Sequence, residues 1–200
     1  FSIDEYYSTL AAAYVRGEAK RAAANGGFVV SDETERQVCL LSLPAALLEA
    51  PLGALTRREQ EEILRIGRAA GLKLYHFKRS HGELPRVKAM LGFLKTQSFD
   101  SLLDVGSGRG AFLWPLMDAF PALRVCSADI LPHRVAFLDT VRLGGAERLS
   151  AVCADICSLA GESGAFEVVS LLEVLEHIPD VAAAVSSAVQ DGSLPALLDE

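Results

Sequence analysis

Four carboxylates in the second half of the chain stand at equivalent points. Asp104, Asp129, Asp155 and Glu173 each close or follow a short apolar run. Taken singly, each suits a helix cap or a turn; four in register form the pattern of a binding edge. The last opens a cluster, Glu173-Val174-Leu175-Glu176-His177. If the backbone turns helical there, positions i, i+3 and i+4 share a face. Glu173, Glu176 and His177 then make a ligand set for Mg2+ or another divalent cation.

Upstream, Leu102-Leu103-Asp104-Val105-Gly106-Ser107-Gly108-Arg109-Gly110 runs from apolar residues into a turn with glycine at every second position. Glycines so spaced let the backbone turn tightly and approach a ligand, and N–H groups at the start of a following helix can face a polar or anionic group. Ala111 stands where the dinucleotide pattern G-x-G-x-x-G needs its third glycine, and no Gly-Lys-Ser/Thr follows to make a P-loop. Asp129, 19 positions beyond Gly110, is placed to take both hydroxyls of a ribose, as carboxylates do in nucleotide-binding α/β domains. Asp155 can accept from the exocyclic amine of a purine, with Ile130 and Ile156 offering apolar surface to the ring. Asp104 can receive an ammonium, directly or through water.

These residues need a scaffold that brings strand ends together. Apolar runs at 102–105, 123–128, 149–154 and 166–172 alternate with helical stretches beginning at Ala111, at Pro132 and after Pro179. That alternation predicts right-handed β-α-β units and a mainly parallel sheet, with ligands at the carboxyl ends of its strands. Pro115 falls early in the first of these helices, where its ring threatens to distort it. Residues 1–98 read as helical. One helix is expected over 1–24 with Gly26-Gly27 as its stop, and a second from Asp32, with Glu35 completing a capping box and Pro44 ending it. A third follows the capping box Thr56-x-x-Glu59 and stops at Gly71, and a fourth spans 84–95. Between the last two, Lys73-Leu74-Tyr75-His76-Phe77-Lys78-Arg79-Ser80-His81 interleaves cations with aromatics. It reads as a solvated loop whose Tyr75 and Phe77 pack on the core, or as a surface for an anionic or aromatic substrate.

Two hundred residues, half of them hydrophobic, can bury one ordinary core, or one core plus a helical appendage. No stretch approaches the roughly 18 apolar residues of a membrane span. Phe1 begins no signal-peptide pattern, and since it is not methionine the start is read as that of an expression product or a processed chain. Cys39, Cys126, Cys153 and Cys157 form no C-x-x-C pair, so buried free thiols and a cytoplasmic location are expected. Residues 1–98 hold 14 Lys/Arg against 11 Asp/Glu, a balance of +3; residues 99–200 hold 5 against 15, a balance of −10. The shift predicts two segments meeting near 97–100, and it argues against the second half gripping a nucleic-acid backbone by itself.

LLDVGSGRG at 102–110, ADI at 128–130, CADI at 153–156 and FEVVSLLEVLEHIP at 166–179 together resemble a class I S-adenosylmethionine-dependent methyltransferase. The resemblance covers about 100–190 and implies a Rossmann-like α/β core at 99–200, with residues 1–98 as a helical cap or substrate-recognition segment. It implies that Gly106, Gly108 and Gly110 approach the methionine part of S-adenosylmethionine, with Asp104 and Ser107 also among the cofactor-binding residues. Asp129 would bind the ribose hydroxyls, and Ile130, Asp155 and Ile156 would line the adenine. Glu173 and His177 would then face the transferred methyl, on the substrate side, as the catalytic candidates. The E-x-x-E-H pattern is similar to the metal site of small-RNA 3′-terminal 2′-O-methyltransferases and of ubiquinone-pathway O-methyltransferases. It also occurs in many class I members as a strand-to-helix turn whose residues contact cofactor or cap the helix. The expected activity is O-methylation of a small molecule; the alternatives are an RNA 3′-terminal 2′-O-methyltransferase, with the basic 73–88 stretch lining the acceptor channel, and a non-catalytic cofactor-binding or assembly subunit. A class I sheet has seven strands, whereas this chain stops after the fourth and its helix. The resemblance therefore implies a fragment, a natural shortening, or a homodimer covering the sheet edge.

Overall fold

The computed structural model describes residues 2–24, 32–158 and 166–191. They divide into two units, Phe1–Ser80 with Asp139–Glu147, and His81–Leu138 with Arg148–Glu200. The helix expected over 84–95 falls within the second of these units.

In the first unit, α1 (Ser8–Ala24), α2 (Asp32–Leu41), α3 (Ala45–Glu49) and α4 (Arg57–Ala69) follow one another. The first helix starts at Ser8 instead of the chain start, because Tyr6 forms an antiparallel bridge with Lys78 and the Tyr7 N–H donates to the Phe77 carbonyl at 2.8 Å. Small residues on α1 let other backbone come close: a Cβ at Gly17 would sit 1.8 Å from the Thr140 carbonyl oxygen, and one at Gly144 would sit 1.6 Å from that of Ala13. Arg16 is buried, and its guanidinium donates to the Leu48 and Ala50 carbonyls at 2.5 and 2.7 Å, at the end of α3. Thr56 and Glu59 make the expected reciprocal capping box, so α4 starts where the sequence places it. α2 ends at Leu41, ahead of Pro44, which precedes α3 instead. The Gly26-Gly27 stop and the Asp32 capping side chain lie outside the described residues. Phe77 is fully buried while Tyr75 is half-exposed, so only one of the two aromatics joins the core.

The second unit begins with α5 (Pro85–Leu94), whose Pro85 occupies the first turn, where no intrahelical N–H bond is required. It continues as β1 (Ser101–Val105), α6 (Leu113–Ala119), β2 (Arg124–Asp129), α7 (Pro132–Leu143), whose residues from Asp139 on belong to the first unit, β3 (Leu149–Cys153), β4 (Val168–Ser170) and α8 (Val181–Asp191). The strands form one parallel sheet in the order β3-β2-β1-β4, the architecture expected from the alternation of runs. All five β1 residues are buried. Pro115 is accommodated in the first turn of α6, again where its missing N–H is not needed. β4 keeps three of its seven expected residues. On its entry side the Glu167 N–H donates to the Ser101 hydroxyl at 3.1 Å, outside the ladder, and the Glu167 carboxylate accepts the Asp100 and Ser101 N–H groups. On its exit side the chain turns after Leu171. The turn residues from Gly192 onward lie outside the described residues.

Candidate functional site

The loop after β1 carries three glycines in the left-handed region, Gly106 at φ 69°, Gly108 at 58° and Gly110 at 86°, and they are required for different reasons. A Cβ at Gly110 would stand 2.2 Å from the buried Trp114 indole, and one at Gly106 would stand 2.4 Å from Cγ2 of Val174. At Gly108 nothing lies nearer than 3.7 Å. Two of the glycines therefore serve packing inside the protein, while a Cβ at the third would meet only ordinary contacts, with the Gly106 carbonyl oxygen and Nη1 of Arg134. Trp114 pins the loop further by donating Nε1–H to the Arg109 carbonyl at 2.9 Å.

Beneath the loop lies a buried carboxylate. Asp104, in β1, accepts from the Ser107 hydroxyl and, at 2.7 Å, from the Ser170 hydroxyl of β4, while Ser127 of β2 donates to Ser107 at 2.7 Å. Three strands and the loop are thereby tied to one group. Burial pushes the Asp104 carboxyl up to about 6; the two hydroxyls offset part of this and the Asp129 charge adds to it. A folded-state value above the ordinary 3.8 means that the native state holds this proton more tightly than the unfolded chain does. Its contribution is full below about pH 4 and is lost as pH rises to about 6, a change of about 3 kcal/mol. Asp104→Asn should flatten that part of the stability profile in urea titrations between pH 4 and 7. An unchanged slope would assign the pH dependence to other groups.

Asp129 ends β2. Its Oδ1 accepts the Leu131 N–H at 2.9 Å and its Oδ2 stands 3.3 Å from Nη1 of Arg134. Ile130 beside it is 65% exposed. Across the β2–β3 ladder, Asp155 accepts the Cys157 N–H at 2.9 Å, and Ile156 is buried. At the far end of the sheet, Glu173 takes a left-handed φ of 55°, unusual for a non-glycine residue and a strain of about 1–2 kcal/mol. Its Oε1 is held 2.6 Å from Nε of Arg86, in the first turn of α5.

A cavity of about 250 Å³ opens over the carboxyl ends of these strands. Gly106, Asp129, Ile130, Asp155, Ile156, Glu173 and His177 share its lining, whereas Asp104, Ser107, Gly108 and Gly110 are not among the residues that line it. Arg134 and Val174 also line it, and Arg86 reaches it through Glu173. Sequence patterns gave no sign of these three: Arg134 stands five residues past Asp129, outside any capping spacing, and Arg86 meets Glu173 only through the fold.

The divalent-cation set is not assembled. Glu173 sits on a left-handed backbone and is engaged by Arg86, while Glu176 and His177 belong to a single 3-10 turn with their side chains 3.9 Å apart. The helical face that the spacing required is absent here. Among the described residues no group of three His, Cys, Asp or Glu side chains is arranged to hold a metal ion. In the basic 73–88 stretch, Arg79 donates to the Tyr6 carbonyl at 3.0 Å and lies over the Tyr7 ring, and Lys88 pairs with Glu83. Among the described residues no helix is long and apolar enough to cross a membrane.

A methyltransferase-domain family model matches residues 55–192. Among solved structures, PigF with SAH is similar at 19% identity and a TM-score of 0.44, with 89% of this chain and 48% of that chain covered. N,N-8-amino-8-demethyl-D-riboflavin dimethyltransferase (RosA) from Streptomyces davawensis is similar at 21% identity and a TM-score of 0.37, with 81% and 47% covered. The chain thus spans about half the length of these structures. No curated protein matches it significantly.

Proposed function

The chain belongs to the methyltransferase-domain family, and we propose that it transfers the methyl group of S-adenosylmethionine to an oxygen of a small molecule. The observation that carries this reading is the shared cavity, with Asp129, Ile130, Asp155 and Ile156 at one end and Glu173 and His177 at the other. The donor set suits such a cofactor: a buried carboxylate for ribose hydroxyls and an exposed isoleucine for an aromatic face. A divalent cation does not fit the same residues, and no step is assigned to one.

When bound, S-adenosylmethionine supplies a methyl group on a sulfonium whose sulfur keeps the bonding pair as the new carbon–oxygen bond forms. The protein's residues have to align the acceptor and take its proton. Glu173 is assigned the proton: Arg86 holds Oε1, leaving Oε2 for the acceptor hydroxyl. His177, at the rim with its side chain 79% exposed, is assigned to hydrogen-bond the acceptor as it enters.

The test has two arms. Calorimetric titration with S-adenosylhomocysteine should give binding that Asp129→Ala weakens by about 1.5–3 kcal/mol, the usual loss for a hydrogen bond to a charged group. Incubation with methyl-labelled S-adenosylmethionine and a panel of hydroxylated small molecules should give labelled ethers or esters. Label on nitrogen or carbon acceptors would overturn the oxygen assignment. Cofactor binding without transfer to any acceptor would make the chain a non-catalytic cofactor-binding subunit.

A further inference from the structure

We propose that Arg134 changes partners when the cofactor enters, leaving Asp129 for the carboxylate of the cofactor's amino-acid end. The inference rests on the cofactor reading above and assigns a residue that controls which ligands the site accepts. In the structure Arg134 is poorly satisfied where it stands. Its Nη1 is 3.3 Å from Asp129 Oδ2, longer than a good charge-assisted hydrogen bond. Its Nε is buried with no hydrogen-bond partner among the described residues, an arrangement that is costly for a donor. The Asp129 side chain is only 3% exposed, against 37% for Arg134, so the guanidinium lies on the solvent side of the carboxylate that ribose hydroxyls must reach.

The ligand's charges point to where Arg134 goes. S-adenosylmethionine carries one anionic group, its carboxylate, beside an ammonium and a sulfonium. Among the described residues that line the cavity, Arg134 is the one arginine and there is no lysine, while Asp129, Asp155 and Glu173 are acids. A carboxylate placed among three acids needs a cation, and a guanidinium fork matches it with two parallel hydrogen bonds. Nη1 already lies 3.8 Å from the place a Cβ would take at Gly108, within reach of both Asp129 and the glycine loop. Movement of Arg134 therefore uncovers Asp129 and meets the carboxylate in one event. Ribose binding and carboxylate binding become coupled, and the site discriminates against nucleosides that lack the amino-acid end.

Calorimetry with two probes tests this: S-adenosylhomocysteine, and 5′-methylthioadenosine, which keeps the nucleoside and sulfur without the carboxylate. Arg134→Gln should weaken S-adenosylhomocysteine at least tenfold and leave 5′-methylthioadenosine within about twofold, or tighten it. Arg134→Lys, which keeps the charge without the fork, should fall between wild type and Arg134→Gln. Equal losses for both probes, no loss for S-adenosylhomocysteine, or the selective loss appearing in Arg86→Gln instead would each overturn the proposal. A folded wild-type chain that binds neither probe is a different failure, that of the cofactor reading itself.

Discussion

Glu173→Gln should lower the rate of methyl transfer by about 100-fold or more, the usual contribution of a positioned base, while S-adenosylhomocysteine binds within about twofold of wild type. The split follows from geometry. The substitution keeps the size of the side chain and a carbonyl oxygen for the Arg86 donor that now lies 2.6 Å away, so the cavity is preserved, but an amide accepts no proton from the acceptor hydroxyl. Arg86→Gln should reproduce part of the loss without removing the base, because the carboxylate is then no longer held in one orientation. The measurement is kcat on any hydroxylated compound that the wild type methylates, with Kd for S-adenosylhomocysteine determined in parallel. Full activity in Glu173→Gln would remove Glu173 from the chemistry and leave its ion pair a structural one.

Gly110→Ala should destabilise the fold by about 2–5 kcal/mol, combining about 1–3 for overpacking and about 1–2 for a side chain in the left-handed region. Its new Cβ would stand 2.2 Å from an indole that is fully buried, donates to the Arg109 carbonyl and meets the Phe137 ring edge-on at 6.1 Å. Gly108→Ala is the control: it has the same handedness but no atom nearer than 3.7 Å, so only the strain of about 1–2 kcal/mol applies. Against a total stability of about 5–15 kcal/mol, the first variant should melt roughly 5–20 °C lower than wild type. Melting temperatures of the two variants within a degree or two of each other would show that Trp114 does not constrain the loop.

Local order was legible wherever neighbours in sequence decide it. Thr56 and Glu59 cap α4 because both partners of the box lie within one turn, and the alternation of apolar runs with helical stretches was enough to expect the parallel sheet. The strand ends carrying Asp104, Asp129 and Asp155 lie close to where the apolar runs placed them. β4 was less legible: its seven-residue run is mostly apolar, but only Val168–Ser170 pair, because Glu167 is drawn to the start of β1. The cluster at 173–177 misled for a related reason. Residue spacing places three ligands on one face only if the backbone is helical, and a left-handed residue at Glu173 ends that condition.

By itself, then, the sequence determined the order of elements, the glycine loop and the carboxylates at the strand ends, since helical and extended periodicities and turn chemistry act within a few residues. Tertiary structure alone decided which side chain answers each carboxylate. Arg86 meets Glu173, Arg134 covers Asp129, and Ser127 and Ser170 converge on Asp104 through Ser107 and directly. Those pairings depend on how strands distant in sequence come to lie side by side, and no periodicity along the chain encodes which residues will then stand within hydrogen-bonding reach.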